Sequence, residues 1–161
     1  MSDLYTTYYN SPIGTLKLVA EQDALIECKY VKDKRIRIPT QAYHPILKET
    51  ILQLEAYFKG QLQDFTLPLH LIGTPFRCRV WQQLRTVEFA KTASYGDIAK
   101  GIQQPKAARA VGQANHHNPF SIIIPCHRII GSSGKLVGYG GGMWRKKWLL
   151  AHEKNSIIKS K

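Results

Sequence analysis

The stretch Ile122-Ile123-Ile124-Pro125-Cys126-His127-Arg128-Ile129-Ile130 sets a thiol, an imidazole and a guanidinium side by side between two apolar runs. The isoleucines belong in a core by their transfer free energy, so polar chemistry sits inside a segment that should otherwise be buried. Pro125 cannot donate to a strand ladder, and the chain is expected to leave an extended run there. A thiol just past a strand end and near a cation is in the setting that lowers a cysteine pKa and makes thiolate available. The competing reading is a buried, inert cysteine at a strand–loop junction.

Downstream, Gly131-Ser-Ser-Gly134 reads as a tight turn between Arg128-Ile-Ile130 and Lys135-Leu-Val137, a wing-like hairpin, and Gly138-Tyr-Gly-Gly-Gly142 follows as a loop. Met143 to Glu153 is a final helix with Trp148, Leu149 and His152 near its inner face, and the tail from Lys154 is polar and loose. Upstream, Thr74-Pro75 is an N-cap followed by proline at the first helical position, with Phe76, Val80, Leu84 and Val87 on one face and Trp81 beside them. Ser94 caps a short helix that stops at Gly101, and Pro105 starts another through about Asn115. Helix, tight turn, helix is helix-turn-helix spacing. The second of these helices carries almost no bulk except Lys106 and Arg109, so it either packs tightly or enters a groove.

Residues 1 to 73 have a different character. Leu4 to Tyr9, Gly14 to Ala20 and Ala24 to Val31 read as strands with short connections, which favours an antiparallel meander. Lys32 to Arg37 is a basic surface loop, and Pro39 and Pro45 bracket an irregular stretch. Pro45 then opens a helix whose Leu47, Ile51, Leu54 and Phe58 give one buried face, ended by Gly60. The fold class expected is a small α/β N-terminal domain over residues 1–73, an antiparallel sheet covered by a helix, followed over residues 74–161 by a mainly α winged helix-turn-helix domain.

Composition supports a globular chain: 161 residues, 43% hydrophobic and 10% aromatic, give material for a core. Met1 to Tyr9 lacks a signal-peptide pattern and no run approaches the roughly 18 apolar residues of a membrane span, so a cytoplasmic protein without membrane association is expected. Cys28, Cys78 and Cys126 form neither a disulfide framework nor a zinc pattern. Residues 1–73 hold 8 Lys/Arg and 8 Asp/Glu, whereas residues 74–161 hold 15 Lys/Arg against 3 Asp/Glu and so carry the whole net charge of +12. A one-sided basic surface points to nucleic acid, the alternative being a solvated charged face.

Cys126 and His127 are neighbours, and in an extended segment their side chains would point apart, so contact needs a turn or a bridging water. Glu153, one of three acids in this half, could orient His127, giving a Cys, water, His, Glu relay that removes the thiol proton.

Thr74-Pro-Phe76, Val80-Trp81, Ser94-Tyr95-Gly96, Ala107-Ala-Arg-Ala-Val-Gly112, Asn118-Pro119, Ile124-Pro-Cys-His-Arg128, Gly138-Tyr139 and Trp148-Leu-Leu-Ala-His-Glu153 together resemble the methylated-DNA–protein-cysteine methyltransferases, also called O6-alkylguanine-DNA alkyltransferases. The likeness covers roughly residues 74 to 153, and Ser11-Pro-Ile-Gly14 resembles the family's less diagnostic N-terminal domain. It implies a DNA repair protein that takes an alkyl group from O6 of guanine, and less readily O4 of thymine, onto Cys126. By the same matching His127 and Glu153 are the relay, Asn118 braces the cysteine turn, and Tyr95 protonates the departing guanine while crowding the adjacent phosphate.

Arg109 would be a finger that enters the duplex from the minor groove and fills the gap left by a flipped nucleotide. Lys106, Ala107, Ala108, Gly112 and Arg128 would join it at the DNA. Tyr139 and Gly140 would wall the base pocket with Ser121 and Met143, and the carbonyls of Cys126 and Ile129 would accept from the base's amine. The partner implied is double-stranded DNA bearing O6-alkylguanine or O4-alkylthymine, met by a monomer with no cofactor.

Several positions depart from the family. Glu88 and Ala90 stand where it often has Pro and Gly, Ser121 replaces the proline of mammalian members, and Gly140 a serine. The zinc-ligand pattern of the human N-terminal domain is absent, so no metal is expected. Two other readings compete: a winged-helix regulator or lesion sensor, although sensors resembling the family lack the acceptor cysteine, and a cysteine hydrolase, which leaves the basic, small-residue helix unexplained.

Overall fold

The computed structural model describes residues 3–32 and 44–159, arranged as two compact units, Met1–Leu71 and Ile72–Lys161. The expected basic loop and the stretch from Pro39 therefore lie mostly outside the described residues.

In the first unit β1 (Tyr5–Ser11), β2 (Gly14–Ala20) and β3 (Leu25–Tyr30) form an antiparallel sheet in the order β1-β2-β3. The first hairpin is set by its turn. Ser11 pairs with Gly14 in the register, the Ser11 hydroxyl accepts from the amide of Ile13 and donates to the carbonyl of Gly14, and Gly14 has φ +120°. Alternation then puts Leu16, Leu18 and Ala20 of β2 and Leu25 and Cys28 of β3 in the core. Burial pushes the Cys28 thiol up, so this cysteine is inert.

Helix α1 (Pro45–Phe58) packs on β1 and β2. Its buried stripe is Leu47, Thr50, Leu54 and Tyr57, not the expected Leu47, Ile51, Leu54, Phe58. The helix is turned so that the Thr50 hydroxyl, bonded to the Ile46 carbonyl at 2.7 Å, faces inward, while Ile51 and Phe58 are half-buried. The stretch Leu67–His70 is tied to β3: the Leu25 amide donates to the Pro68 carbonyl and the His70 amide to the Leu25 carbonyl.

The second unit runs α2 (Pro75–Leu84), β4 (Ala93–Ser94), α3 (Tyr95–Gly101), α4 (Ala108–His116), β5 (Ile129–Ile130) and α5 (Met143–Lys159). Thr74 caps α2 by accepting from the Arg77 amide. Ser94 and Asp97 form a reciprocal capping box that starts α3. The buried Trp81 indole donates to the Ala114 carbonyl at 2.8 Å and pins α2 to α4. No helix among the described residues is long and apolar enough to cross a membrane.

Three expectations need correcting here. Helix α4 begins at Ala108, not Pro105, because Gln103 adopts φ +62° and the Ala107 amide is spent closing a turn onto the Gln104 carbonyl. The wing is a turn closed by the Gly131 amide on the Lys135 carbonyl, and Lys135–Val137 is not a strand. The backbone of Ile129–Ile130 is instead paired in parallel with Ala93–Ser94. The tail from Lys154 continues α5 to Lys159.

Ala90, at a position where glycine is frequent in the family it resembles, has φ +61°. A side chain in that region costs about 1–2 kcal/mol, partly returned through a less flexible unfolded chain. Ala90→Gly should therefore raise stability by up to about 1 kcal/mol in urea unfolding. A loss would show that the methyl packing outweighs the strain.

Candidate active site

Cys126 starts a single 3-10 turn, Cys126–Arg128, and the backbone ahead of it is a turn and not the expected strand end. Ile122 there has φ +72°, rare for a β-branched residue and sustained only where the surroundings enforce it. Asn118 supplies that enforcement. Its Nδ2 donates to the carbonyls of Phe120 (3.2 Å) and Ile124 (2.9 Å), and its Oδ1 accepts from the Phe120 amide at 2.9 Å. Isoleucines 122–124 are buried and anchor the turn from below.

The Cys126 side chain, 7% exposed, faces a cavity of about 160 Å³. Tyr95, Gly112, Asn115, His116, Gly138, Tyr139 and Gly140 form the rest of its wall. That is smaller than the ~300 Å³ at which ordinary ligand clefts begin, and suits one planar ring system. Burial raises the Cys126 pKa despite Asn118, the Lys146 charge and backbone amides, all of which lower it. The expectation of a lowered thiol pKa fails for this reason: the resting thiol keeps its proton and needs a base.

Such a base stands next to it in the chain. His127 is fully buried and its Nε2 lies 2.7 Å from Glu153 Oε2. Burial alone would push the Glu153 carboxyl up, but His127 and Arg128 outweigh this and hold it well below the usual carboxylate range. Burial, joined by the Arg128 and Lys146 charges, lowers the His127 pKa despite Glu153, so the ring is neutral. A neutral ring facing a carboxylate carries its proton on Nε2, which leaves Nδ1 as the basic nitrogen. Nδ1 is buried and has no hydrogen-bond partner among the described residues.

Arg128, expected at the DNA, is 5% exposed and consumed inside the protein. Its Nε and Nη2 bond both Glu153 oxygens at 2.9 and 3.0 Å, and Nη1 donates to the Val87 carbonyl at 2.7 Å. The Ala90 amide completes the Glu153 set at 3.1 Å. Glu153 thus ties α5 to the cysteine turn and to the loop after α2.

Tyr95, first residue of α3, lies across the cavity from the thiol, its hydroxyl donating to the Val137 carbonyl at 3.2 Å. Burial and the nearby Cys126 raise its pKa. Gly112 of α4 faces this ring, and a Cβ there would stand 3.8 Å from it, an ordinary van der Waals contact. Arg109 is exposed on α4, Lys106 is exposed in the preceding turn, and Ala107 and Ala108 are half-buried at the helix start.

Ile129, Ser121 and Met143 do not line the cavity. Ile129 is fully buried and its carbonyl accepts from the Lys146 ammonium, Ser121 lies in the turn before the cysteine, and Met143 opens α5. Sequence reasoning passed over Asn115, His116 and above all Lys146, which sits in Arg145-Lys-Lys147 and looks solvated. The helical spacing of Lys146, Leu149 and Glu153, all buried, was the available signal.

Two family models match. Residues 75–155 fit the description "6-O-methylguanine DNA methyltransferase, DNA binding domain", and residues 4–71 the "6-O-methylguanine DNA methyltransferase, ribonuclease-like domain". The chain belongs to the methylated-DNA–protein-cysteine methyltransferase family. It is 45% identical to the methyltransferase of that name from Mycobacterium leprae, over 94% of this chain and 93% of the relative, and 42% identical to that of Methanosarcina acetivorans, over 93% and 98%. The crystal structure of Mycobacterium tuberculosis OGT in complex with DNA is similar with a TM-score of 0.84 and 45% identity, covering 92% of each chain.

Both buried titratable partners bind fewer protons folded than unfolded, so acid destabilises the protein. Unfolded His takes up a proton near 6.5 and unfolded Glu near 4.3, while the folded groups do not. The melting temperature should fall as pH drops below about 6.5 and again below about 4.3. Glu153→Gln should remove the second step and cost about 3–5 kcal/mol at neutral pH by leaving Arg128 buried without its partner. A melting temperature flat from pH 7 to 4 in the parent protein would contradict this.

Proposed function

We propose that this methyltransferase repairs alkylated double-stranded DNA by moving an alkyl group from O6 of guanine, and less readily O4 of thymine, to Cys126. The observation that carries this reading is a buried thiol at the end of a cavity sized for one base, with a neutral imidazole of defined tautomer beside it. Family membership supplies the reaction class; the residue roles that follow are our own reading.

The cysteine proton passes through a water to His127 Nδ1, and Glu153 stabilises the imidazolium that forms. The thiolate attacks the alkyl carbon, a C–S bond forms, the C–O bond breaks, and the electron pair leaves on the guanine. Tyr95, whose raised pKa keeps its hydroxyl protonated, gives the proton that neutralises the departing base. Tyr139 and Gly140 wall that base. The product thioether has no electrophilic carbonyl for water to attack, so one transfer ends the protein's activity. A cysteine hydrolase would recycle.

Reaching the cavity requires the nucleotide to leave the stack, because a paired base is inaccessible. Arg109 is exposed at the start of α4 with only Ala108 and Ala110 beside it, and we assign it to the gap left in the duplex. The place of action proposed is the cytoplasm.

Incubation with duplex DNA carrying labelled O6-methylguanine should place at most one label per chain, on Cys126, by peptide mass analysis, and none in Cys126→Ala. Sustained turnover, or label on Cys28 or Cys78, would overturn the reading. Arg109→Ala should slow transfer from duplex DNA strongly, while free O6-benzylguanine reacts at close to the parent rate because it needs no flipping. Equal losses on both substrates in single-turnover measurements would exclude the finger. A contact to phosphate would instead weaken binding and make its salt slope shallower by about one.

A further inference from the structure

Lys146 has no task in the transfer just described, yet it is fully buried. Its ammonium donates to the carbonyls of Ile129, of Val137 at 2.9 Å and of Gly138 at 3.4 Å. Ile129 follows the cysteine turn, and Gly138 begins the cavity wall that continues through Tyr139 and Gly140. One side chain therefore gathers both ends of the loop between them. A buried ammonium without a carboxylate is costly, and among the described residues Lys146 forms no ion pair, the Glu153 carboxylate being engaged by His127 and Arg128.

The interior charges explain why that cost is met. Arg128 and Glu153 cancel and His127 is neutral, so with Cys126 as thiol the cluster carries one uncompensated positive charge, and with Cys126 as thiolate it carries none. We propose that Lys146 is a positioning residue for alkyl transfer: it clamps the Gly138–Gly140 wall through three carbonyls, and its charge offsets the one Cys126 acquires on losing its proton. The groups facing Cys126 are Tyr95 from α3, His116 from α4, His127 and Arg128 from its own turn, and Lys146 and Glu153 from α5. Of the charged ones, Arg128 and Glu153 answer each other. Burial lowers the Lys146 pKa and raises that of Cys126, and each group's charge opposes the shift of the other.

The proposal rests on Cys126 being the acceptor, and its test separates the two. Alkylation of Cys126 by iodoacetamide, followed by peptide mass analysis, needs no base in the cavity and reads thiolate formation alone. Lys146→Met should move the rising limb of its pH profile up by about one unit or more. The same variant should slow transfer from O6-methylguanine duplex DNA by ~10- to 100-fold through a misplaced wall. Lys146→Arg, which keeps the charge but cannot converge on three carbonyls, should leave the limb in place and still slow duplex transfer. An unmoved limb in Lys146→Met overturns the charge role, and a parent-like duplex rate in Lys146→Arg overturns the clamp. Should Lys146→Met not fold, the parent protein labelled with ¹³C-lysine gives the answer: the Lys146 Cε resonance must shift as Cys126 deprotonates, and its failure to do so refutes the coupling. A parent protein that takes no label from DNA while its iodoacetamide profile still depends on Lys146 would refute the acceptor role and leave the coupling standing.

Discussion

The carboxylate of Glu153 joins three stretches of the second unit: α5, which carries it; the Cys126–Arg128 turn, through His127 and Arg128; and the loop after α2, through the Ala90 amide. A carboxylate taken out of water costs several kcal/mol, and it persists here because both oxygens are bonded, with a bidentate guanidinium supplying the opposite charge. The same bonds fix which imidazole nitrogen is free. Structural and chemical demands therefore fall on one side chain, and the tautomer of His127 follows from the arrangement that holds α5 in place.

Thiol reactivity here is arranged differently from that of a cysteine at a helix start or beside an exposed cation. The site does not keep a standing thiolate. Burial holds Cys126 protonated, and the base, the hydrogen bonds from Asn118 and the nearby ammonium act against that burial when a substrate is in place. Cys28 shows what burial produces when the neighbouring charge, that of Glu27, adds to it: a thiol with its pKa far up. Two buried cysteines in one chain thus differ because of what surrounds them and not because of exposure.

Much of this was legible in the sequence where the signal was local. The strand Gly14–Ala20, the Thr74-Pro75 helix start, the Ser94 cap and the helix start at Pro45 each follow from neighbouring residues and appear as read. Tyr95, Gly112, Cys126, Tyr139 and Gly140, picked out by motif, share one cavity wall. What the sequence hid was set by distant partners. Arg128 looks like a surface cation until Glu153, 25 residues away, is folded against it. Lys146 lies between two other cations and is distinguished from them only by the three carbonyls that close around it. The short strand Ile129–Ile130 takes its partner from Ala93–Ser94, a parallel pairing that no local hairpin signal announces.

The left-handed backbone at Ile122 bears on how the chain is made. That conformation is unfavourable for isoleucine on its own, so the turn ahead of Cys126 closes only once Asn118 and the packed core compel it. Glu153 is also synthesised after Ala90, His127 and Arg128, which its carboxylate binds. On the ribosome, then, Ala90, His127 and Arg128 emerge before the carboxylate that organises them, and the nascent thiol spends that interval without an oriented base. The burial that holds Cys126 protonated is likewise acquired only with the fold, so the thiol's raised pKa and its ordered neighbours arrive together.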